Sequence, residues 1–419
     1  MTFRRVAMLC LHSSPLDDPG AGAGGGMNVY VRELARALAD AGTVVDIFTR
    51  SPDQVHVVEE AARVRVIALP AGPRGAVAKD TVPSLSPALL AGISRFAKAE
   101  DRRYDLVHSH YWSSGCVAQR LSRLWRVPHV HMFHTLSRIK TAYAGTPPDP
   151  RRAHVEANLL DAAHAIVVAT PVERTEILTH YGRRRAPLIS IPCGIDPVPF
   201  TLATAFPRPA SSRFGIVALG RIERLKNFEL LLRAVADACA RDPRFAGEVD
   251  VCIAGGPAGG EPETLPALRR LAVELGVEAR VRFLGVAPRA EVPGLFAAAA
   301  ICVVPSRHES FGLVALEAMA AGLPVVATRT GGLQTTVADG INGYLVDVDD
   351  APALAGRLLD LWASPILRRD LGARGVQTAR RYAWPRIAER ITDLYEELIA
   401  DRQRATGRAA PWVLDGEAS

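Results

Sequence analysis

The sequence predicts an α/β protein built from two doubly wound, Rossmann-like domains that face each other across a cleft. The chain has 419 residues, which is more than a single hydrophobic core usually serves, so two domains of about 200 residues each are expected. Short β-rich runs alternate with helical patterns, as is typical of βαβ units and a parallel sheet. A polar, proline-rich stretch at 197–212 separates two such series and is interpreted as a linker.

The first series of elements predicts a domain at 1–196. Its first helix is expected at 27–41, because Val31, Leu34 and Leu38 recur on one helical face and Gly42 can end the helix. Strands are expected at 6–11, 44–49, 64–69, 105–110, 129–134, 165–170 and 188–194.

The second series predicts a domain at 213–381, followed by a last helix at 382–401 that is expected to pack back toward the first domain. Its strands are expected at 214–220, 249–256, 281–285, 300–306 and 324–332. Ligands of doubly wound sheets lie at the carboxyl ends of the strands. Since most polar clusters follow a predicted strand, the cleft between the domains is the expected site.

Composition narrows the class of protein. Hydrophobic residues make up 48% and charged residues 22%, as in an ordinary soluble globular protein. The net charge of +6 is scattered along the chain, so a basic cleft for a phosphorylated ligand is expected rather than a nucleic-acid surface. No apolar run approaches the roughly 20 residues of a membrane span. The six cysteines are far apart, which favours reduced core residues in a cytoplasmic protein; a homodimer is left open.

A glycine-rich loop, HSSPLDDPGAGAGGGMNVY, precedes the first helix. Glycines before a helix N-terminus let the backbone approach an anionic ligand. Gly20, Gly22 and Gly25 also match the dinucleotide fingerprint. However, the fingerprint wants a tight turn straight after the strand and an acidic residue after the second strand, where Thr49 and Arg50 stand. A nicotinamide-dependent oxidoreductase is therefore a rival class, but this loop lacks the tight turn and the acidic residue that such an enzyme requires.

Two cations follow the first strand of the second domain. In GRIERLKN, at 220–227, Arg221 and Lys226 are five residues apart. Fixed cations at a strand end can neutralise the charge that grows on a departing diphosphate. Solvated surface charge is the ordinary alternative for such a pair, and the motif that follows makes this alternative weaker.

That motif is PSRHESFGLVALEAMAAGLPVVAT, at 305–328. Glu309 lies in a loop and Glu317, eight residues later, lies in the following helix. Ser310, Phe311 and Gly312 stand at the start of this helix, whose N–H groups can bind a phosphate, while a carboxylate accepts hydrogen bonds from sugar hydroxyls. Two carboxylates also suggest a glycosidase. We discount that reading, because a helix N-terminus and two cations indicate a phosphate leaving group.

These two motifs resemble the retaining glycosyltransferases of family 4, which have the two-domain GT-B fold. HSSPLDDPGAGAGGGMNVYVRELARAL, VDIFTR, DLVHSHYWSSG and HTLSRIKTAY are similar to the mycothiol-pathway branch of this family. That branch transfers N-acetylglucosamine from UDP-GlcNAc to 1D-myo-inositol 3-phosphate. A more distant likeness is to sucrose-phosphate synthases. The resemblance covers roughly residues 5–400.

The resemblance implies roles for individual residues. Arg221 and Lys226 would hold the donor diphosphate, Glu309 the sugar hydroxyls and Glu317 the ribose hydroxyls. The implied catalytic group is Arg221, Lys226, Glu309 and His134; the implied donor-binding group is Gly26, Arg221, Lys226, Glu309, Ser310, Phe311, Gly312 and Glu317; the implied acceptor-binding group is Asn28, Lys79, Tyr111, Thr135 and Arg152. The first domain would then bind the acceptor and the second the nucleotide sugar. Arg289 receives no role, because GVAPRAEV does not align cleanly with the mycothiol branch.

The resemblance also implies front-face transfer with retention, in which the donor's own phosphate takes the proton of the acceptor hydroxyl. No metal site and no cofactor beyond a UDP-sugar donor is expected for this chemistry, although Mg²⁺ is left open. Lys79 and Arg152 are expected to need an anionic ligand, since unpaired cations in a cleft are costly. GIDPVPF and HMFHTLSRIK depart from the mycothiol branch. The alternatives are therefore a sucrose-phosphate-synthase-like or secondary-metabolite glycosyltransferase, and a non-catalytic sugar-phosphate-binding module.

Overall fold

The structure is a computed structural model that describes residues 4–17, 26–75, 77–145, 147, 149–204, 213–257 and 261–406. It contains two α/β domains, each formed by a largely parallel sheet and the helices that cover it. The predicted fold class is confirmed. No helix in the described part of the chain is long and apolar enough to cross a membrane.

The first domain contains an eight-stranded sheet in the order β3-β4-β2-β1-β5-β6-β7-β8. The strands are β1 Arg5–Leu9, β2 Val44–Ser51, β3 His56–Ala61, β4 Val64–Pro70, β5 Leu106–His110, β6 His129–Met132, β7 Ala165–Val168 and β8 Leu188–Ser190. The helices are α1 Gly26–Asp40, α2 Ser86–Ala99, α3 Trp112–Trp125, α4 Ser137–Ala144, α5 Pro150–Ala162 and α6 Pro171–Tyr181, with a 3-10 helix at Lys79–Leu85. All strand pairs are parallel except β3 with β4, a hairpin that the sequence did not predict.

The second domain contains a six-stranded parallel sheet in the order β11-β10-β9-β12-β13-β14. The strands are β9 Phe214–Leu219, β10 Val249–Ala254, β11 Val281–Gly285, β12 Ile301–Val304, β13 Val325–Thr328 and β14 Gly343–Val346. The helices are α7 Val198–Thr204, α8 Phe228–Arg241, α9 Pro243–Glu248, α10 Thr264–Glu274, α11 Val292–Ala298, α12 Leu313–Ala320, α13 Leu333–Thr336, α14 Ala351–Ala363 and α15 Pro365–Arg380. Short 3-10 helices lie at Arg224–Lys226, Glu278–Arg280 and Arg289–Glu291, and the chain ends in α16 Trp384–Thr406.

The apolar face predicted for the first helix is buried in α1. Val31, Leu34 and Leu38 are fully buried, and each such side chain contributes about 1.5–3 kcal/mol by leaving water. Helices α5 and α6 begin with proline after the N-caps Asp149 and Thr170, whose side chains accept hydrogen bonds from backbone N–H groups. These caps fix the start of the two helices, and with it the positions of the polar residues in their first turns.

The stretch interpreted as a linker carries a helix, α7, at its start. Phe200 of α7 is buried, and its ring centroid lies 5.8 Å from that of Phe296 in α11. Burial of this aromatic side chain stabilises a short helix. The polar composition of the stretch gave no sign of this helix. Residues 205–212, the remainder of the expected linker, lie outside the described residues.

The chain crosses between the domains at two adjacent places. The backbone N–H of Ile195 donates to the carbonyl of Tyr382 at 2.9 Å, and the N–H of Trp384 donates back to Ile195 at 3.2 Å. Helix α16 then lies against the first domain, where Tyr395 Oη is 2.6 Å from His108 Nδ1 of β5. The exact domain bounds at 196, 213 and 381 stay predictions.

Candidate active site

Each sheet reverses its strand order at one point, and these two points locate the site. In the first sheet the reversal lies between β1 and β5, and in the second it lies between β9 and β12. The crevice outside the carboxyl ends of such strands is where doubly wound sheets bind ligands. The loops after these strands carry most of the residues singled out in the sequence.

The loop after β9 brings Arg221 and Lys226 to this crevice in different ways. Arg221 is exposed and donates from Nη2 to Oε1 of buried Glu223 at 3.1 Å. Gly255 makes the turn possible, because a Cβ there would lie 1.8 Å from the carbonyl oxygen of Gly220. Arg221 is therefore oriented by the carboxylate of Glu223, a residue that was not predicted to belong to the site.

Lys226 and Glu309 form an ion pair between Nζ and Oε2, with one fifth of each side chain exposed. The residues are 83 positions apart in the chain, so tertiary folding alone brings them together. Two partners that pair in this way hold each other in fixed positions at the carboxyl ends of β9 and β12. A cation and a carboxylate thus stand side by side at this edge of the second sheet.

Helix α12 begins at Leu313, directly after Gly312, whose φ of 91° lies in the left-handed region. A Cβ at Gly312 would lie 2.7 Å from Leu333 Cδ2, so glycine is required on both conformational and steric grounds. Phe311 is buried and packs edge-to-face on Tyr382, with ring centroids 5.8 Å apart. The side chain of Phe311 therefore belongs to the core, and only its backbone can serve a donor phosphate.

Glu317 is buried in α12 and pairs with Arg289, whose Nη1 lies 2.6 Å from Glu317 Oε1. Burial raises the pKa of Glu317, and the Arg289 cation opposes this rise. The Arg289 guanidinium also lies over the Phe200 ring, 5.4 Å from its centroid. Arg289 had no role predicted from the sequence, although its position just after β11 was an available signal.

His134 follows β6 with a φ of 61°, which is rare for a residue with a side chain. Its Nε2 lies 3.1 Å from His110 Nδ1, and its ring packs edge-to-face on Tyr30 at 5.3 Å between centroids. Burial lowers the pKa of His134 to about 3. The imidazole is therefore neutral at neutral pH and can act as a hydrogen-bond partner rather than as an acid.

Three of the predicted acceptor-binding residues meet at the carboxyl ends of β5 and β6. Arg152 donates from Nη1 to Tyr111 Oη at 3.1 Å, and from Nη2 to Thr135 Oγ1 at 3.1 Å and to the Thr135 carbonyl at 2.8 Å. Tyr111, like His134, has a positive φ, of 70°. Residues from three separate segments therefore form one cluster, which we call the Arg152 cluster (Tyr111, Thr135 and Arg152).

Arg152 is not the unpaired cation that the sequence argument assumed. Its Nε donates to Oε1 of Glu156 at 2.7 Å. Glu156 is fully buried and also accepts from Tyr181 Oη and from the Ser137 N–H. Burial raises the pKa of Glu156, while Arg152 is the strongest influence that opposes the rise. Charge balance alone therefore does not require an anionic ligand here.

The remaining predicted residues occupy different surroundings. Asn28 is buried, accepts from Ser13 Oγ at 2.9 Å and donates to the Ser14 carbonyl at 2.6 Å, so its side chain holds the loop after β1. Gly26 begins α1 opposite α12, where a Cβ would lie 3.6 Å from Leu313 Cδ1. Lys79 begins a 3-10 helix, but its side chain lies outside what the structure describes. Gly20, Gly22 and Gly25 lie outside the described residues.

Comparison with known families matches both halves of the chain. Residues 25–194 match the glycosyl transferase 4-like domain, and residues 206–378 match the glycosyl transferases group 1 family. The D-inositol 3-phosphate glycosyltransferase of Corynebacterium diphtheriae is 40% identical over 94% of this chain and 95% of its own length. The chain belongs to the family 4 glycosyltransferases. The enzyme of the same name from Nocardiopsis dassonvillei is 39% identical over 95% of each chain.

Solved structures agree on the fold of this glycosyltransferase. The sucrose-phosphate synthase of Thermosynechococcus elongatus is 31% identical, with a TM-score of 0.84 over 95% of this chain and 100% of that chain. The Anabaena protein HepE in complex with UDP and glucose is 21% identical, with a TM-score of 0.74 over 94% of this chain and 99% of its own. This second likeness concerns the GT-B fold alone. The glycosyltransferase is a hexosyltransferase, as the resemblance implied.

Proposed function

We propose that this glycosyltransferase moves N-acetylglucosamine from UDP-GlcNAc to a cyclitol phosphate such as 1D-myo-inositol 3-phosphate, with retention of the anomeric configuration. The observation that carries the proposal is the hydrogen-bond pattern of the Arg152 cluster. The names of the relatives, which are 39% to 40% identical along nearly the whole chain, support the same acceptor.

The Arg152 cluster presents donors, even though Arg152 has a carboxylate partner. Because the guanidinium donates to Tyr111 Oη and Thr135 Oγ1, the protons of both hydroxyls must point elsewhere. Arg152 keeps one further N–H on Nη1 that has no hydrogen-bond acceptor among the described residues. Three donors at the ends of β5 and β6 suit the oxygens of a phosphate, and charge-assisted hydrogen bonds of this kind are among the strongest in proteins.

The second domain supplies the groups for the donor. Arg221, Lys226 and the backbone at the start of α12 would stabilise the negative charge that develops on the departing diphosphate. In the transfer the acceptor oxygen forms the new bond to the anomeric carbon, the bond from that carbon to UDP breaks, and the acceptor proton passes to the departing phosphate. Neutral His134 would hold a sugar hydroxyl, and Glu309 another.

The test compares inositol 3-phosphate with free inositol as acceptors of N-acetylglucosamine, with product detection by mass spectrometry. Wild type should prefer the phosphorylated acceptor by 100-fold or more, the scale of a few lost charge-assisted bonds. Tyr111→Phe and Thr135→Val remove one donor each without disturbing the Arg152–Glu156 pair, and each should reduce this preference about tenfold. Arg151→Ala is the matched control, because Arg151 is the exposed neighbour of Arg152 in α5. Equal use of both acceptors by wild type would contradict the proposal.

A hexose phosphate is the second candidate acceptor. The likeness to a sucrose-phosphate synthase, at 31% identity and a TM-score of 0.84, favours it. The same donor cluster would bind the phosphate of either acceptor. Adding fructose 6-phosphate to the assay, with UDP-glucose as well as UDP-GlcNAc, separates the two candidates by the mass of the product.

A further inference from the structure

The loop that carries Glu309 contacts both domains, and its contacts alternate along the chain. Glu309 itself points to Lys226 in the second domain. Its neighbour His308 reaches the first domain, where Nε2 lies 3.1 and 3.3 Å from the two carboxylate oxygens of Glu176 in α6. On the other side, Ser310 Oγ donates to the carbonyl of His134 at 3.1 Å. We call residues 305–312 the Glu309 loop.

The contact between His308 and Glu176 is well enclosed. Only 11% of the His308 side chain and 10% of that of Glu176 are exposed. The His308 ring also packs on Tyr143 of α4, with centroids 4.4 Å apart and an angle of 32° between the ring planes. Because the pair is shielded from water and orients the imidazole on two sides, it is stronger than an exposed ion pair.

The Glu309 loop is also backed within its own domain. The N–H of Gly332 donates to the Glu309 carbonyl at 2.6 Å. A Cβ at Gly331 would lie 2.1 Å from the same oxygen, and one at Gly332 would lie 2.5 Å from Phe311 Cα. The Glu309 loop therefore packs against Gly331 and Gly332 of its own domain. Its residues His308 and Ser310 contact the first domain.

We propose that His308 and Glu176 form an interdomain latch that positions Glu309 when the two domains close. His308 is a positioning residue in this arrangement, since its own contacts are to Glu176 and Tyr143 and it acts through its neighbour Glu309. When the domains separate, His308 loses its carboxylate and its aromatic partner together, and the Glu309 loop keeps only its contacts to the second domain. Closure of the two domains therefore also places the Glu309 carboxylate that binds the donor sugar. This inference rests on the proposed function, in which Glu309 holds the donor sugar.

The latch acts through the population of the closed form. A hydrogen bond to a charged partner in a shielded place favours the form that contains it about tenfold. UDP that is bound by groups of the second domain alone, such as Arg221, has the same affinity for the open and the closed form, so the latch does not change this affinity. Removing the latch should therefore lower the turnover number and leave the affinity for UDP nearly unchanged.

The test is a double-mutant cycle with His308→Ala, Glu176→Ala and the double variant. Each single variant should lower kcat severalfold, with the tenfold shift in population as the upper limit, and the double variant should lower it no further, because all three lose the same contact. The Kd for UDP, measured by calorimetry, should change less than twofold. His308→Gln, whose amide nitrogen lies close to the position of the imidazole Nε2 and can still donate to Glu176, should recover part of kcat. His154→Ala and Glu397→Ala are matched controls at exposed positions and should behave as wild type.

Small-angle scattering gives a readout that does not depend on the acceptor. With saturating UDP, His308→Ala should show a larger radius of gyration than wild type. Additive effects in the cycle, or equal radii in the two proteins, would overturn the latch. If wild type transfers no sugar to either phosphorylated acceptor, the proposed function fails, while the scattering comparison still decides whether the latch exists.

Discussion

Arg289 and Glu317 form a pair at the edge of the cleft, with Nη1 of Arg289 2.6 Å from Oε1 of a buried carboxylate. Glu317 lies in α12, one turn after the helix begins, and Arg289 lies in the short 3-10 helix after β11. The pair makes an ionised carboxylate compatible with burial, since Arg289 opposes the effect of desolvation on the pKa of Glu317.

The first prediction concerns this pair. Arg289→Ala should leave Glu317 buried without a counter-ion, so that its pKa rises further and it becomes protonated nearer to neutral pH. Nucleotide binding should weaken by about 10- to 100-fold if Glu317 accepts hydrogen bonds from the ribose hydroxyls. Glu317→Gln should weaken UDP binding to a similar degree without changing the anomeric configuration of the product. Calorimetry measures the affinity for UDP, and NMR of the product measures its anomeric configuration. Arg282→Ala, at an exposed position of β11, is the control, and a glycosyl adduct trapped on Glu317 would contradict this role.

The second prediction is that Arg221 and Lys226 act on the leaving group. Replacing either by alanine should lower turnover about 100-fold or more, as the loss of one transition-state donor typically does. Lys226→Ala should also free Glu309 from its ion pair, so its effect should exceed that of Arg221→Ala. Steady-state release of UDP is the measurement, with Arg233→Ala on the exposed side of α8 as the control. Near wild-type turnover in both variants would show that the diphosphate is held elsewhere.

The third prediction concerns Gly331, which has a φ of 45° and lies against the Glu309 carbonyl. Gly331→Ala places a methyl group where only 2.1 Å separates it from that oxygen, so the backbone of the Glu309 loop must move. We expect a loss of about 3 kcal/mol in the free energy of unfolding, together with lost turnover. Urea unfolding measures the first effect. Gly294→Ala is the control, because nothing lies within 4 Å of its added Cβ, and an equally small effect in both variants would contradict the steric argument.

The fourth prediction is a pH dependence of stability. Burial raises the pKa of Glu173, in the first turn of α6, from 4.5 to about 7. Between these values the folded protein holds a proton that the unfolded chain has released, so this group makes the fold less stable as the pH rises through that window. The total is on the order of 3 kcal/mol. Glu173→Gln cannot ionise, so its free energy of unfolding relative to wild type should increase from pH 5 to pH 8.

The difference in the free energy of unfolding between the variant and wild type at each pH separates the contribution of Glu173 from that of the buried histidines. His108 and His129 have pKa values lowered to about 3 by burial. They therefore favour the fold above the ordinary histidine pKa and lose that contribution as the pH falls below it. This opposite trend is common to both proteins and cancels in the difference. Glu397→Gln, on the exposed side of α16, is the control. A difference that does not change between pH 5 and pH 8 would show that Glu173 ionises normally in the fold.

Local patterns predicted most of the architecture, because period and turn chemistry act over a few residues. The apolar face of α1, with Leu34 and Leu38, needed only a helical repeat to be recognised. The strands that escaped prediction, β3 and β14, lie at the edges of their sheets. Strand β3 is mostly exposed, so it lacks the apolar run of a central strand, and β14 has only four residues and begins with a glycine. Helix α7 was missed for a related reason, since one buried aromatic residue outweighs a polar neighbourhood.

The sequence by itself determined the fold class, the two strand series and the two motifs that identify the family, because each depends on residues that are close together in the chain. Only the tertiary structure decided the partners. Lys226 with Glu309, Arg152 with Thr135 and Glu156, Arg289 with Glu317, and His308 with Glu176 are pairs that the motifs did not specify. Most of their members come from separate segments, and the strand order of the two sheets and the contact between the domains bring these segments together. The charge that a cleft residue keeps depends on these partners and on burial, and neither can be read from spacing along one chain.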